Sequence, residues 1–221
     1  MRTPFSPLVL MFLLGFTLWL VFAIKLEIIQ LTFAKLGLAP ESALALLITS
    51  LFGSFINLPL LTLPASAPPE LQPMKPLGLL QPPALPFTGQ TRVVVNVGGC
   101  LVPLFFSLYL MKNNPLDIGP TLVATLIVAA ISYSASRPIP GLGIGMPILV
   151  APLSAAMVAL ILGGASRAPL AYIAGSLGVL IGADLLRLKD IRNLGAPVAS
   201  IGGAGTFDGI FMTGLVAVLL T

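Results

Sequence analysis

The sequence contains no histidine, and Cys100 is its single cysteine. The missing histidine excludes histidine-based metal sites, serine–histidine relays and histidine-ligated haem, and a single cysteine excludes an internal disulfide. Charge is scarce as well, because Asp, Glu, Lys and Arg together make up 8% of the residues. Carboxylates are therefore the only strong candidates for acid–base chemistry, and we expect neither a metal nor a cofactor.

Most of the residues are apolar. They make up 57% of the chain, and the mean hydropathy is +1.07. No soluble surface can be built from such a composition, so we expect an integral membrane protein whose first partners are membrane lipids. The net charge of +4 comes from basic residues that stand singly between apolar segments. They form no patch, and we expect no nucleic-acid partner.

The hydropathy pattern predicts an all-α polytopic membrane protein, with a single transmembrane domain over residues 1–221 and about seven transmembrane helices. The predicted spans are residues 7–29, 42–63, 93–111, 119–136, 145–163, 169–187 and 201–220. The first span has no small-x-small cleavage site before Lys25, so we expect it to be retained rather than removed as a signal peptide.

The basic residues between the spans predict the orientation in the cell membrane. With a cytoplasmic N-terminus and an external C-terminus, seven basic residues lie inside and four lie outside, which agrees with the positive-inside rule. The internal set is Arg2, Lys75, Arg92, Arg137, Arg187, Lys189 and Arg192. The external set is Lys25, Lys35, Lys112 and Arg167.

Two segments are too rich in helix breakers to form continuous helices. The loop over residues 64–92 contains eight prolines, which favour an extended conformation. Residues 137–153 combine four prolines and three glycines in a region that is still apolar. Irregular backbone at membrane depth is tolerated only where protein or a water cavity satisfies its polar groups. We therefore predict that the second segment lines a cavity or forms a kinked helix after a stiff loop.

Two aspartates lie inside apolar segments of membrane-spanning length. Asp184 follows an uncharged run from Pro169 and would lie roughly 23 Å along a ~30 Å hydrocarbon core. Asp208 precedes the last thirteen residues, so a final span would bury it roughly 10 Å deep. Both carboxylates approach the membrane face that carries Arg187, Lys189 and Arg192. We expect them to lie at a similar depth, where they can meet.

Small residues flank both aspartates. Gly178 and Gly182 form one small-xxx-small pair, and Gly205 and Gly209 form another around Asp208. Such pairs let helix backbones approach closely. At 100° per residue Asp184 points roughly 160° away from Gly182, so the glycine seam and the carboxylate should serve different neighbours.

Two interpretations of the aspartates remain open. A structural one pairs Asp184 with Arg187 one turn later and makes Asp208 a cap of the last helix. In the functional one the carboxylates face each other across a cavity, share one proton and act as base and acid, as in aspartic proteases. One would activate water toward a peptide carbonyl while the other hydrogen-bonds the carbonyl oxygen.

The segments around the aspartates resemble those of presenilin and signal-peptide-peptidase-type intramembrane aspartyl proteases. The stretch from Gly203 to Phe211 is similar to the family's Gly-x-Gly-Asp element, and Asp184-Leu185-Leu186 is similar to its first aspartate element. The sequence departs from the pattern because two residues separate Gly205 from Asp208 and no tyrosine precedes Asp184. A segment similar in composition to the family's Pro-Ala-Leu element, Ala151-Pro152-Leu153, comes before the aspartates instead of after them.

The resemblance implies a protease that cleaves transmembrane peptides. Its catalytic residues would be Asp184 and Asp208. The residues expected to line the substrate cavity are Gly182, Gly203, Gly205, Thr206, Gly209, Pro147, Ala151, Pro152 and Leu153.

An ion- or proton-coupled transporter or channel is the main alternative, because it too would use membrane carboxylates and broken helices. Asn57, Asn96 and the serines near residue 134 would then line its path, although such residues more often form interhelical hydrogen bonds. A subunit with a purely structural role is a third interpretation. As a whole, the chain also resembles uncharacterised prokaryotic multi-pass membrane proteins, which imply no activity. The sequence leaves the oligomeric state open.

Overall fold

A computed structural model describes residues 7–66, 89–139, 143–203 and 209–221. The chain is mostly helical. Its α-helices are α1 (Pro7–Lys35), α2 (Pro40–Gly53), α3 (Val102–Asn113), α4 (Ile118–Ala135), α5 (Val150–Leu162), α6 (Arg167–Val179) and α7 (Gly209–Leu219). Two π-helical segments, Val97–Leu101 and Leu180–Leu185, precede α3 and continue α6. Short 3₁₀ turns cover Gly164–Ser166 and Asp190–Asn193.

The described residues also form two small sheets, so the fold is mostly helical, as predicted, but not all-α. The strands are β1 (Asn57–Pro64), β2 (Gln90–Asn96), β3 (Arg137–Ile139), β4 (Gly143–Gly145) and β5 (Val198–Ile201). In the three-stranded sheet β2 is central, antiparallel to β1 and parallel to β5. Strands β3 and β4 form a separate antiparallel hairpin within the Pro/Gly-rich segment.

The predicted span over residues 42–63 is not a single helix. It consists of α2, a turn and most of β1. Pro59 lacks an amide hydrogen and disfavours a helical conformation at the residue before it, so no helix can run through this stretch. Because Pro64 pairs with Gln90, the Pro-rich loop connects the two strands of a hairpin. Residues 67–88 of that loop lie outside the described residues.

The predicted span over residues 93–111 is likewise divided. The run from Thr91 to Val95 contains β-branched residues at four of five positions and forms β2. Asn96 ends the strand and caps the π-helix that follows, and its side chain accepts a hydrogen bond from the Gly99 amide. Only the second half of the predicted span is therefore helical.

Two helices in the described part of the chain are long and apolar enough to cross a membrane. They are Ile118–Ala135 and the continuous helical stretch Gly164–Leu185. Glu27–Lys35 and Pro40–Gly53 would count as a third span if the pair, bent by 105°, is taken as one. Helices α5 and α7 are shorter, with 13 and 11 residues. The structure thus supports two or three spans of this kind and not the predicted seven.

Helix α6 lies at the centre of the helical part, in contact with α3, α4, α5 and α7. Its glycines permit this crowding. A Cβ atom at Gly178 would lie 2.6 Å from Val128 Cγ1 of α4, and one at Gly182 would lie 2.2 Å from the Ala129 carbonyl oxygen. The predicted glycine seam is therefore the contact between α6 and α4.

The outer helices carry large apolar side chains on their exposed faces. Leu122 and Leu126 of α4 and Met157 and Leu160 of α5 are each at least half exposed. A lipid bilayer would solvate these faces, whereas water would not. The spans and these faces together are compatible with a membrane location.

Arg187 follows the π-helix that continues α6, and it binds the C-terminal end of α4. Its guanidinium donates to the carbonyl oxygens of Tyr133 and Ser136, each at 2.8 Å, and forms an ion pair with Asp190 at 2.9 Å. It also lies over the Tyr133 ring, 4.2 Å from the centroid. The carbonyl groups at a helix C-terminus have no partner within the helix, so the arginine satisfies groups that would otherwise need water.

We expect Arg187→Ala to lower the free energy of unfolding by about 3 kcal/mol, because several charge-assisted hydrogen bonds are lost at once. Thermal unfolding in detergent, followed by labelling of the buried Cys100 with a thiol-reactive dye, measures the change. Arg167→Ala is the matched control, because Arg167 is exposed at the start of α6. Equal melting temperatures for the two variants would contradict the assigned role.

Candidate functional site

Asp184 lies in the π-helical segment Leu180–Leu185, where α6 ends. The amide of Leu186 donates to the Ile181 carbonyl oxygen at 2.9 Å, which is the five-residue spacing of a π-helix. Such segments are rare and frequently occur at functional sites, because the extra residue changes the direction of the side chains. The Asp184 side chain is half-buried rather than enclosed in the core.

The carboxylate of Asp184 contacts the turn that follows β5. Its Oδ2 atom accepts a hydrogen bond from the Gly202 amide at 2.9 Å. Gly202 and Gly203 both have φ near +82°, a conformation that side chains with a Cβ atom rarely adopt. A Cβ at Gly202 would also lie 2.6 Å from the Cys100 Cβ. Glycine at position 202 therefore lets the turn pack against Cys100 while its amide faces Asp184.

Asp184 stands where two cavities meet. A cavity of about 180 Å³ lies along β5 and β4 and includes Ser200 and Gly203 in its wall. A second cavity of about 440 Å³ lies between the 144–152 segment and α7. Its walls are apolar except for Asp184 and Thr213. Ile144 and Asp184 belong to both walls, so one carboxylate faces a more polar and a more apolar compartment.

The structure brings several of the predicted residues to these cavities. Gly203 lines the smaller one with Asp184, and Pro152 and Gly209 line the larger one with it. Gly209 is the first residue of α7. Asp208, which precedes it in the chain, lies outside the described residues, as do Gly205 and Thr206.

Other predicted cavity residues lie elsewhere. Gly182 packs against α4, and Ala151 is fully buried in the protein core. Leu153 is 46% exposed, and Pro147 is exposed in the turn before α5. A tripeptide element built on Ala151, Pro152 and Leu153 thus contributes only its proline to the cavity wall.

The site also contains residues that sequence reasoning missed. Ile144 is an ordinary apolar residue in the sequence, and it reaches both cavities because the β3–β4 hairpin places it there. Thr213 carried a weak signal as a polar residue one turn into an apolar helix. Gly202 donates to Asp184 through its backbone, and its sequence signal was the Gly202-Gly203 pair after the strand-forming residues of β5.

The alternative interpretation, in which Asp184 pairs with Arg187, does not match the ion pair that Arg187 forms. The ion pair of Arg187 is with Asp190, and its remaining nitrogens donate to Ser136 and Tyr133. Arg187 therefore neutralises a different carboxylate, one on the loop that follows. Within the described ranges, no group of three or more His, Cys, Asp or Glu side chains is placed to hold a metal ion.

Residues 51–220 match the model of a family described as protein of unknown function (DUF1614). The chain belongs to this family. The DUF1614 match includes the three-stranded sheet, both aspartates and every cavity residue named above. Among curated proteins and among solved structures, none matches the chain.

Proposed function

We propose that this DUF1614 protein is an intramembrane aspartyl-protease-like enzyme in which Asp184 and Asp208 act as paired carboxylates. One observation carries the proposal. Asp184 and Gly209 line the same cavity of about 440 Å³, and Asp208 is the residue directly before Gly209. The resemblance of the segments around both aspartates to presenilin-type proteases supports the same pairing.

The chemistry requires two carboxylates that share one proton. The ionised carboxylate removes a proton from a water molecule as the water attacks the peptide carbonyl carbon. The protonated partner hydrogen-bonds the carbonyl oxygen. The proton taken from the water is later passed to the leaving amine. The Gly202 amide contributes by holding the Asp184 side chain in one orientation, through its hydrogen bond to Oδ2.

The larger cavity favours an apolar peptide substrate. Its volume lies in the range of ordinary ligand sites, and its wall contains Met146, Leu149, Ile210 and Met212. Such a wall binds large aliphatic or aromatic side chains, whereas a charged side chain would lose most of its hydration there. We therefore assign a transmembrane peptide as the substrate, with a large apolar residue beside the cleaved bond.

The positions of the basic residues support the proposed orientation in the cell membrane. Arg137 and Arg187 lie at the end of the helices where Asp184 is found. Lys35 lies at the other end, where its ammonium contacts the carbonyl oxygens of Val218 and Leu219 at 3.3 and 3.2 Å. With the first group cytoplasmic, the N-terminus is inside, the C-terminus is outside and the carboxylates lie toward the cytoplasm.

A coupled transporter remains the second candidate. The observation in its favour is that Asp184 separates two cavities of different polarity, as a carboxylate in a transport path would. Transporter carboxylates bind ions or protons and leave peptide bonds intact.

Purified protein in detergent is incubated with peptides that each span a membrane once, and the products are analysed by mass spectrometry. The same protein in liposomes is assayed for proton and cation flux. We expect cleavage inside the apolar part of a peptide with a central Leu or Phe, and no cleavage when that residue is replaced by Lys. Flux that depends on Asp184, without any cleavage, would assign the protein to the transporters instead.

A further inference from the structure

Asn96 is a fully buried polar residue at the junction of β2 and the π-helix Val97–Leu101. Its Oδ1 atom accepts a hydrogen bond from the Gly99 amide at 2.7 Å, and its Nδ2 atom donates to the Ser54 carbonyl oxygen at 2.6 Å. These two partners fix which end of the amide is oxygen and which is nitrogen. The nitrogen therefore also donates to Asn57 Oδ1 at 3.1 Å.

Asn57 is also close to strand β5, which ends beside Asp184. The Ser200 hydroxyl of β5 lies 3.1 Å from Asn57 Oδ1, and it also contacts the Gly203 carbonyl oxygen. A hydroxyl has one proton, so it donates to one of the two acceptors at a time. Ser200 thus alternates between Asn57 and the Gly202–Gly203 turn, whose first amide donates to Asp184.

We propose that Asn57, Asn96 and Ser200 form a hydrogen-bonded support that positions the Gly202–Gly203 turn against Asp184. They are positioning residues, because none of them belongs to the wall of the larger cavity where the substrate would lie. Their effect on catalysis rests on the proposed function. Their effect on the turn does not, and it can be measured separately.

The support is needed because the turn cannot hold itself in place. Two consecutive glycines with positive φ have more conformational freedom when unfolded than any other pair, and they have no side chains that could anchor them. The Ser200 hydroxyl binds the carbonyl of Gly203 three residues later, which closes the turn from one side. When the hydroxyl donates to Asn57 instead, Asn57 is held by the buried Asn96, which is bonded to the cap of α2 and to the π-helix.

The first test is kinetic and uses Ser200→Ala and Ser200→Thr. We expect Ser200→Ala to lower kcat for peptide cleavage about tenfold with KM unchanged, because binding is retained while the carboxylate is misplaced. Ser200→Thr keeps the hydroxyl and should retain at least half of the wild-type kcat. Ser166→Ala is the matched control, because Ser166 also bonds a carbonyl oxygen but lies at the opposite end of α6.

The second test measures the turn without using activity. Hydrogen exchange of the Gly202 amide, resolved by fragmentation in the mass spectrometer, should be at least fivefold faster in Ser200→Ala than in the wild type or Ser166→Ala. Asn57→Ala should have a smaller effect, and the double variant should exchange no faster than Ser200→Ala, because both residues act through one hydroxyl.

The outcomes separate the two proposals. Unchanged Gly202 exchange in Ser200→Ala overturns the positioning role, whether or not the protein cleaves peptides. A wild type that cleaves no peptide, combined with faster Gly202 exchange in Ser200→Ala, overturns the proposed enzyme and leaves the support intact. A rise in KM that accounts for the whole loss in Ser200→Ala also overturns the positioning role, because it would place Ser200 in substrate binding.

Discussion

Asp184→Asn will lower kcat for the cleavage of a transmembrane peptide at least about a thousandfold, and Asp208→Asn will do the same. Asparagine cannot accept a proton from water or return one to the leaving amine, so either substitution ends the acid–base cycle. In Asp184→Asn the side-chain amide oxygen can still accept the hydrogen bond from the Gly202 amide, so the turn keeps its place. The loss should appear in kcat measured by mass spectrometry, at an unchanged melting temperature.

Two further aspartates provide matched controls for this result. Asp117 is exposed at the start of α4, far from the site, and Asp190 is paired with Arg187 beyond the end of the π-helix. Asp117→Asn should retain full activity. Asp190→Asn should retain most of it and melt at a lower temperature. The variant with both Asp184 and Asp208 replaced should be no slower than either single variant, because the pair acts as a unit. Full activity in either single variant contradicts the paired-carboxylate mechanism.

The long apolar helices could be predicted from sequence because their signal is local. The predicted spans 119–136 and 169–187 correspond to α4 and to the stretch Gly164–Leu185, each of which is a continuous apolar segment of sufficient length. Hydrophobicity alone, however, does not distinguish a buried strand from a spanning helix. The stretch 57–64 and the three valines at 93–95 are apolar enough for either. Pro59 was a signal against a helix and the β-branched run before Asn96 a signal for a strand, but the prediction followed hydropathy instead.

Of the residues that line the two cavities, the sequence predicted Asp184, the glycines Gly203 and Gly209, and Pro152. A charged residue in an apolar segment is conspicuous, and Gly203 and Gly209 flank the second aspartate in sequence. The cavity walls depend instead on packing between distant elements. Ile144 lines the cavity with Asp184 because a short hairpin interrupts the Pro/Gly-rich segment, and Thr213 does so because α7 packs against α6. No local sequence pattern marks either position.

The hydrogen-bonded network of Asn96, Asn57 and Ser200 shows a similar limit. Asn57 and Asn96 were recognisable as polar residues in apolar surroundings, and hydrogen bonding was the expected role for them. Their partners could not be foreseen, because Asn96 and Asn57 meet only through the antiparallel pairing of β2 with β1. Ser200 joins them because β5 is parallel to β2. The pairing of three strands from separate parts of the chain creates this arrangement.

The same region contains the closest backbone approach that the described glycines make. Helix α2 meets the π-helix Val97–Leu101 at Gly53 and Gly98, and the Ser50 hydroxyl donates to the Gly98 carbonyl oxygen at 2.9 Å. A Cβ atom on Gly98 would lie 1.9 Å from the Ser50 carbonyl oxygen and 2.4 Å from the Ser54 amide nitrogen. Both are backbone atoms of α2 or its cap, so no side-chain rotation can relieve the overlap.

We therefore expect Gly98→Ala to lower the free energy of unfolding by about 3 kcal/mol or more, because α2 must move away and its buried contacts open. Labelling of the buried Cys100 during thermal unfolding in detergent measures the loss, and the variant should melt well below the wild type. Gly119→Ala is the matched control. A Cβ there meets no described atom within 4 Å, and alanine favours the helix by about 1 kcal/mol over glycine, so this variant should melt at or above the wild-type temperature. If Gly98→Ala melts like Gly119→Ala, α2 does not pack against the π-helix as described, and the support for the Gly202–Gly203 turn loses its anchor at Ser54.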